Sequence, residues 1–136
     1  MVDGVMTFEE TTDNVRVAVQ SYFLEEQSEP SDNQYVWAYR IKIANEGETT
    51  VQLLSRHWII TDGAGATQEV KGEGVIGEQP IITPGQDFIY TSGTPLKTPT
   101  GFMRGTYEMQ DENGEHFFIE IPNFSLDSPY QTQNIN

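Results

Sequence analysis

Cysteine is missing altogether from the 136 residues. That one absence removes a disulfide framework, a thiolate metal site and a cysteine nucleophile. Basic side chains are scarce: seven Lys and Arg face 21 Asp and Glu, a formal net charge of −14. So small a basic footprint cannot release counterions on the scale that phosphate-backbone binding needs, and an anionic membrane surface repels the chain for the same reason. No nucleic-acid or membrane partner is expected. There is also no apolar run of about 18 residues to span a bilayer. The amino terminus, MVDGVMTFEE, has neither the basic start nor the apolar stretch of a signal peptide. Cytoplasm is the expected compartment.

What charge there is lies unevenly. Residues 1–32 hold eight acids (Asp3, Glu9, Glu10, Asp13, Glu25, Glu26, Glu29, Asp32) and one base, Arg16. Half the net charge therefore sits in the first quarter of the chain, and a solvated acidic face is the simple reading.

Aromatics are plentiful: two Trp, six Tyr and seven Phe can fill one core without staples. Their spacing is that of strands. Tyr35, Trp37, Tyr39, Ile41 and Ile43 alternate with Arg40 and Lys42 on the even side, so an extended chain gathers all five on one sheet face where a helix would scatter them. Val15, Val17 and Val19 alternate likewise. Leu53, Leu54, Trp58, Ile59 and Ile60 occupy both faces of a central strand over Val51–Thr61. Thr61-Asp62-Gly63-Ala64-Gly65 and Asp111-Glu112-Asn113-Gly114 read as hairpin turns. The strand Phe102–Gln110 and its return Glu115–Ile121 flank the second turn, and Met103, Tyr107, Met109, Phe117, Ile119 and Ile121 face inward. Residues 94–101, with two prolines, read as loop. The expected fold is all-β: an antiparallel immunoglobulin/fibronectin type III-like β-sandwich of about seven to eight strands. The expected organisation is a flexible acidic lead-in at 1–13, the sandwich at 14–126 and a polar tail at 127–136. Without a cysteine pair, Trp37, Tyr39 and Trp58 must fill the space between sheets by packing alone, roughly 1.5–3 kcal/mol each.

Five blocks follow one another in order: YVWAY at 35–39, VQLLSRHW at 51–58, VKGEGVIGEQP at 70–80, YTSG at 90–93 and GTYEM at 105–109. Together they resemble the bacterial ApaG family over about Asn14 to Leu126. The same domain is appended to some eukaryotic F-box proteins and to a DNA-polymerase-interacting protein. The resemblance implies a fibronectin-like sandwich, a link to cobalt tolerance and magnesium efflux, and, from the eukaryotic copies, a role in protein interaction. It implies no catalytic residue and no cofactor.

Gly72, Gly74 and Gly77 spell GxGxxG, but no helix can start where Pro80 and Pro84 follow so closely. No acid occurs between Asp87 and Glu108 to meet a ribose. The loop is not a dinucleotide fingerprint. It has two readings: glycines that turn the chain tightly, or a nest of peptide N–H groups beside Lys71 that holds a phosphate-bearing small molecule. Glu73 and Glu78 would repel such an anion. His57 and His116 are the only histidines, and two imidazoles alone rarely fill a metal site. Glu25, Glu26, Glu29 and Asp32 lack calcium-loop spacing. No metal site is expected. No GxSxG nucleophile elbow occurs either. The expected function is a non-catalytic module that binds an as yet unknown protein partner. The alternative is a phosphate or nucleotide sensor using Gly72, Gly74 and Gly77 as its ligand-binding residues.

Overall fold

The computed structural model describes residues 5–130. Nine strands follow in order: β1 Phe8–Thr12, β2 Val15–Phe23, β3 Tyr35–Asn45, β4 Val51–Asp62, β5 Thr67–Glu73, β6 Ile81–Ile82, β7 Asp87–Leu96, β8 Gly101–Gln110 and β9 His116–Leu126. They form two antiparallel sheets. One runs β1-β2-β3-β7; the other runs β5-β4-β8-β9, with the short β6 beside the start of β4. The β-sandwich expected from period-two alternation is the fold.

Alternation decides what is buried. Trp37, Ile41, Ile43, Val17 and Val19 from one sheet meet Leu53, Met103, Tyr107, Met109 and Ile119 from the other, all at 0% exposure. Tyr39, Trp58 and Phe124 pack ring to ring at the middle of the slab, with centroids 5.4–5.9 Å apart. These edge-on and tilted geometries are those aromatic quadrupoles favour.

Three boundaries differ from the sequence reading. Phe8–Thr12 is not a loose lead-in: it pairs with β2 from Phe8↔Val19 to Thr12↔Val15. The turn uses Asp13 and Asn14 at φ 48° and 63°, the left-handed pair a two-residue hairpin requires. FEETT is polar because β1 is a sheet edge that buries little, so periodicity is silent there; Asp13-Asn14 was the usable signal. Residues 1–4 of that expected lead-in lie outside the described residues. Strand β7 continues through Pro95, inside the expected loop, because Pro95 stands opposite Val36 on an open edge where a missing N–H is no loss to the ladder. Strand β9 likewise runs past Pro122 to Leu126, across a bulge against Met103 and Gly105. Of the expected polar tail, residues 131–136 lie outside the described residues. Ser128 is buried and Tyr130 packs edge-on against Phe23 and Tyr35.

The two flanks of the sandwich are unlike. At one, β1 and β2 meet β9, where the Thr12 hydroxyl accepts from the Glu120 N–H and the Ser21 hydroxyl donates to the Ser125 carbonyl. At the other, β5 and β7 are each the last strand of their sheet.

Candidate functional site

The glycine loop closes upon itself. Gly74 N–H donates to the Leu54 carbonyl, Val75 N–H to Glu78, and Glu78 N–H back to Val75. Ile76 at φ 44° and Gly77 at φ 80° are the two central turn residues, and Val75 anchors the turn in the core at 1% exposure. Three of the peptide N–H groups that would form a nest are thus engaged with carbonyls of the chain. Gly72 stands opposite Arg56 in the β4–β5 ladder. A Cβ there would lie 2.8 Å from the Arg56 Nη1. That nitrogen donates to the Glu73 and Gly74 carbonyls at 3.1 and 2.9 Å. Arg56, which sequence reading passed over, is therefore the cation at this loop. Its signal was a charged residue on the inward side of β4, opposite Tyr107.

The histidines are not brought together. His57 Nε2 meets Glu69 across β4–β5 at 2.7 Å, while His116 Nδ1 meets Glu108 at 2.9 Å. The hydrogen bond to His116, with one from Ser55, holds the Glu108 carboxyl below its usual range. Among the described residues no three His, Asp or Glu side chains are grouped to hold a metal. Of the acidic cluster, Glu25 accepts a hydrogen bond from the Tyr130 hydroxyl.

Between β5 and β7 the sheets leave a slot. Its mouth, about 560 Å³, is bounded by Val36, Ile60, Ala66, Pro95 and Leu96, with Asp62 and Lys97 among the polar neighbours. A narrower continuation of about 230 Å³ shares Ile60, Gln68 and Pro95 and ends at Tyr39, Arg56 and Ser92. A different depression, about 630 Å³, lies between β1 and the outer face of β8–β9. Its charged lining is dominated by Glu9, Glu10 and Glu120 against Arg104 and His57.

Behind Arg56 three phenols lie in the slab. Tyr90 and Tyr107 share a hydroxyl–hydroxyl hydrogen bond of 2.5 Å. Burial pushes both well above the ordinary phenol range, and Tyr39 up as well, while the Arg56 charge opposes the shift. The neutral phenol is the form the fold accepts. An unfolded tyrosine ionises near pH 10, so this contribution is complete below that pH and lost as pH climbs toward the folded values. Stability should fall above about pH 10 by up to about 1.4 kcal/mol per pH unit for each such phenol. Urea midpoints taken between about pH 9 and about pH 11 check this. The double variant Tyr90→Phe/Tyr107→Phe should show a visibly flatter decline, and equal slopes would refute the assignment.

A two-sheet sandwich, an arginine-clamped GxGxxG loop and an open β5/β7 flank define the class of domain. The ApaG domain model matches residues 25–111, and the chain belongs to the ApaG family. The ApaG protein of Paramagnetospirillum magneticum is 57% identical over 129 residues, covering 95% of this chain and 99% of that protein. That of Rhodospirillum centenum is 54% identical over 123 residues, covering 90% and 95%. The crystal structure of a putative ApaA protein from Bordetella pertussis superposes with a TM-score of 0.83 at 51% identity, covering 85% of this chain and 94% of that one. The relatives' names assign no reaction. No helix of the described residues is long and apolar enough to cross a membrane.

Proposed function

We propose that the chain is a non-catalytic binding module that engages a protein partner through its open flank, and that any link to cobalt tolerance or magnesium efflux runs through that partner. One observation carries the reading: a largely apolar slot lies between β5 and β7, each the last strand of its sheet with no further strand paired to it among the described residues. Unpaired edges are templates for an added strand, and apolar walls reward the side chains that strand inserts. Selection from a displayed library of random dodecapeptides tests it. Binders should be recovered, and their footprint should fall on β5 and β7. A library that yields none, or binders that map only to the β1–β9 flank, would overturn the reading.

A second reading, the phosphate or nucleotide sensor, draws support from Arg56 and Lys71 beside Gly72, Gly74 and Gly77. The engaged N–H groups of Gly74, Val75 and Glu78 weigh against it. Amide shifts at Ile76 and Gly77 that saturate with pyrophosphate would favour it over peptide binding.

A further inference from the structure

The β3–β7 ladder determines which peptide groups of β7 are free. Asn45 N–H donates to the Gln86 carbonyl, and the register continues as Ile43↔Phe88, Ile41↔Tyr90, Tyr39↔Ser92 and Trp37↔Thr94. Antiparallel strands alternate between bonded and non-bonded pairs. Even-numbered residues of β7 therefore face β3, and Ile89, Thr91 and Gly93 direct their N–H groups away from the sheet. Pro95 has the same parity, the one at which a residue without an N–H can sit. On the other side of β3, Leu24 N–H takes the Val36 carbonyl, which confirms the alternation. Ile89, Thr91, Gly93 and Pro95 are all exposed.

A strand added beside β7 would send every second side chain inward, over the slot and toward β5. There it would meet Val70 and Gln68, and at the inner end Arg56. Arg56 is half-buried and has no carboxylate partner among the described residues; its hydrogen bonds go to the Glu73 and Gly74 backbone carbonyls. A half-buried guanidinium that bonds only neutral carbonyls still has N–H donors and a full charge to offer a carboxylate. The slot's charges agree. Arg56 and Lys97 line it against a single acid, Asp62, whose Oδ1 already accepts from the Ala64 and Ala66 N–H groups. In a chain of net charge −14, this is a locally cationic slot.

We propose that β7 accepts an extended, acid-bearing peptide segment as an added antiparallel or parallel strand, with one inward Asp or Glu carboxylate on Arg56 and apolar neighbours seated between Ile60 and Pro95. The proposal rests on the open-flank reading and specifies its ligand. The added main chain bonds to Ile89, Thr91 and Gly93, so affinity comes from the backbone. Selectivity comes from the charge.

The dodecapeptides recovered by library selection are the probe. Their sequences should alternate apolar residues with a recurrent Asp or Glu. Binding to the wild-type protein should slow amide exchange at Ile89, Thr91 and Gly93. Changing the peptide's acid to its amide should weaken binding about tenfold or more, the scale of a charge-assisted hydrogen-bonded pair. Arg56→Gln should weaken the acidic peptide by a similar factor and the amide peptide far less. Because Arg56 also holds the loop carbonyls, the peptide substitution against unaltered protein is the decisive arm. Binders that protect β7 but tolerate the amide would overturn the carboxylate assignment while the module reading stands. Binders that protect β5 and leave Ile89, Thr91 and Gly93 unchanged would overturn strand addition. Self-association of the free protein through β7, seen as a dimer by sedimentation, would replace the peptide with a second copy and overturn the proposal.

Discussion

Replacing Gly74 by alanine is expected to destabilise the domain by about 3 kcal/mol or more, while Gly77→Ala, three residues along the same loop, should cost only about 1 kcal/mol. The difference is steric. Both residues have positive φ, 64° and 80°, and a side chain strains either by about 1–2 kcal/mol. At Gly77 a Cβ meets nothing within 4 Å. At Gly74 it would collide with the carbonyl oxygen of Glu78 and lie 2.9 Å from its carbon. That carbonyl cannot swing aside, because it accepts from Val75 N–H, and Val75 is sealed in the core. Relief would mean dissolving the turn and lifting Val75 into water, along with the Gly74–Leu54 bond that joins the loop to β4. Gly72→Ala falls between the two, since its obstacle is a side chain, the Arg56 guanidinium. Urea unfolding of the three variants should rank them Gly74, Gly72, Gly77 from most to least damaging. Equal losses at Gly74 and Gly77 would mean the turn is softer than its hydrogen bonds indicate.

The second large effect is at Trp37. Its side chain is fully enclosed, its ring stands edge-on to Phe23 with centroids 5.4 Å apart, and its Nε1–H donates to the Asp127 carbonyl at 2.8 Å. Trp37→Ala removes that volume from a slab with no disulfide behind it and should cost about 3–5 kcal/mol. A domain of this size has only about 5–15 kcal/mol in total, so Tm should drop by about 10–20 °C. The hydrogen bond also ties the segment after β9 to β3. Trp37→Phe keeps most of the packing and deletes only the tether. It should lose far less stability, yet still loosen amide protection around Asp127 and Ser128. If the two variants lose the same amount, the hydrogen bond rather than the ring is the dominant contribution.

Both variants bear on the proposed binding face. Trp37 and Tyr39 project from β3 into the slab, and β3 is the strand that holds β7 in register. Gly74 closes the loop whose carbonyls hold Arg56. A destabilised Gly74 variant should therefore also release the guanidinium from its place at the end of the slot.

Most of the core was legible from side-chain alternation, because a pleated strand sends neighbours to opposite faces and only one face of each sheet is dry. Tyr35, Trp37, Tyr39, Ile41 and Ile43 are all buried as their spacing requires. The Asp111–Gly114 turn between β8 and β9 was equally readable, since turn chemistry is local. Edges were not. Phe8–Thr12 and Thr94–Leu96 carry little apolar signal, and what makes them strands is pairing: β1 with β2 across the tight Asp13-Asn14 turn, and the end of β7 with β3 far back along the chain.

The candidate site divides in the same way. The residues alone determined that the glycine loop precedes no helix, that no thiol chemistry exists and that one two-layered core is formed. Only the folded chain decided that Gly72, Gly74 and Gly77 play three different parts, that Arg56 crosses the loop with no ion pair of its own among the described residues, and that β5 and β7 face one slot. The reason is physical. Alternation and turn propensity act between near neighbours. The environment of a charge, or of a missing Cβ, depends on strands that meet only after the chain has crossed between sheets.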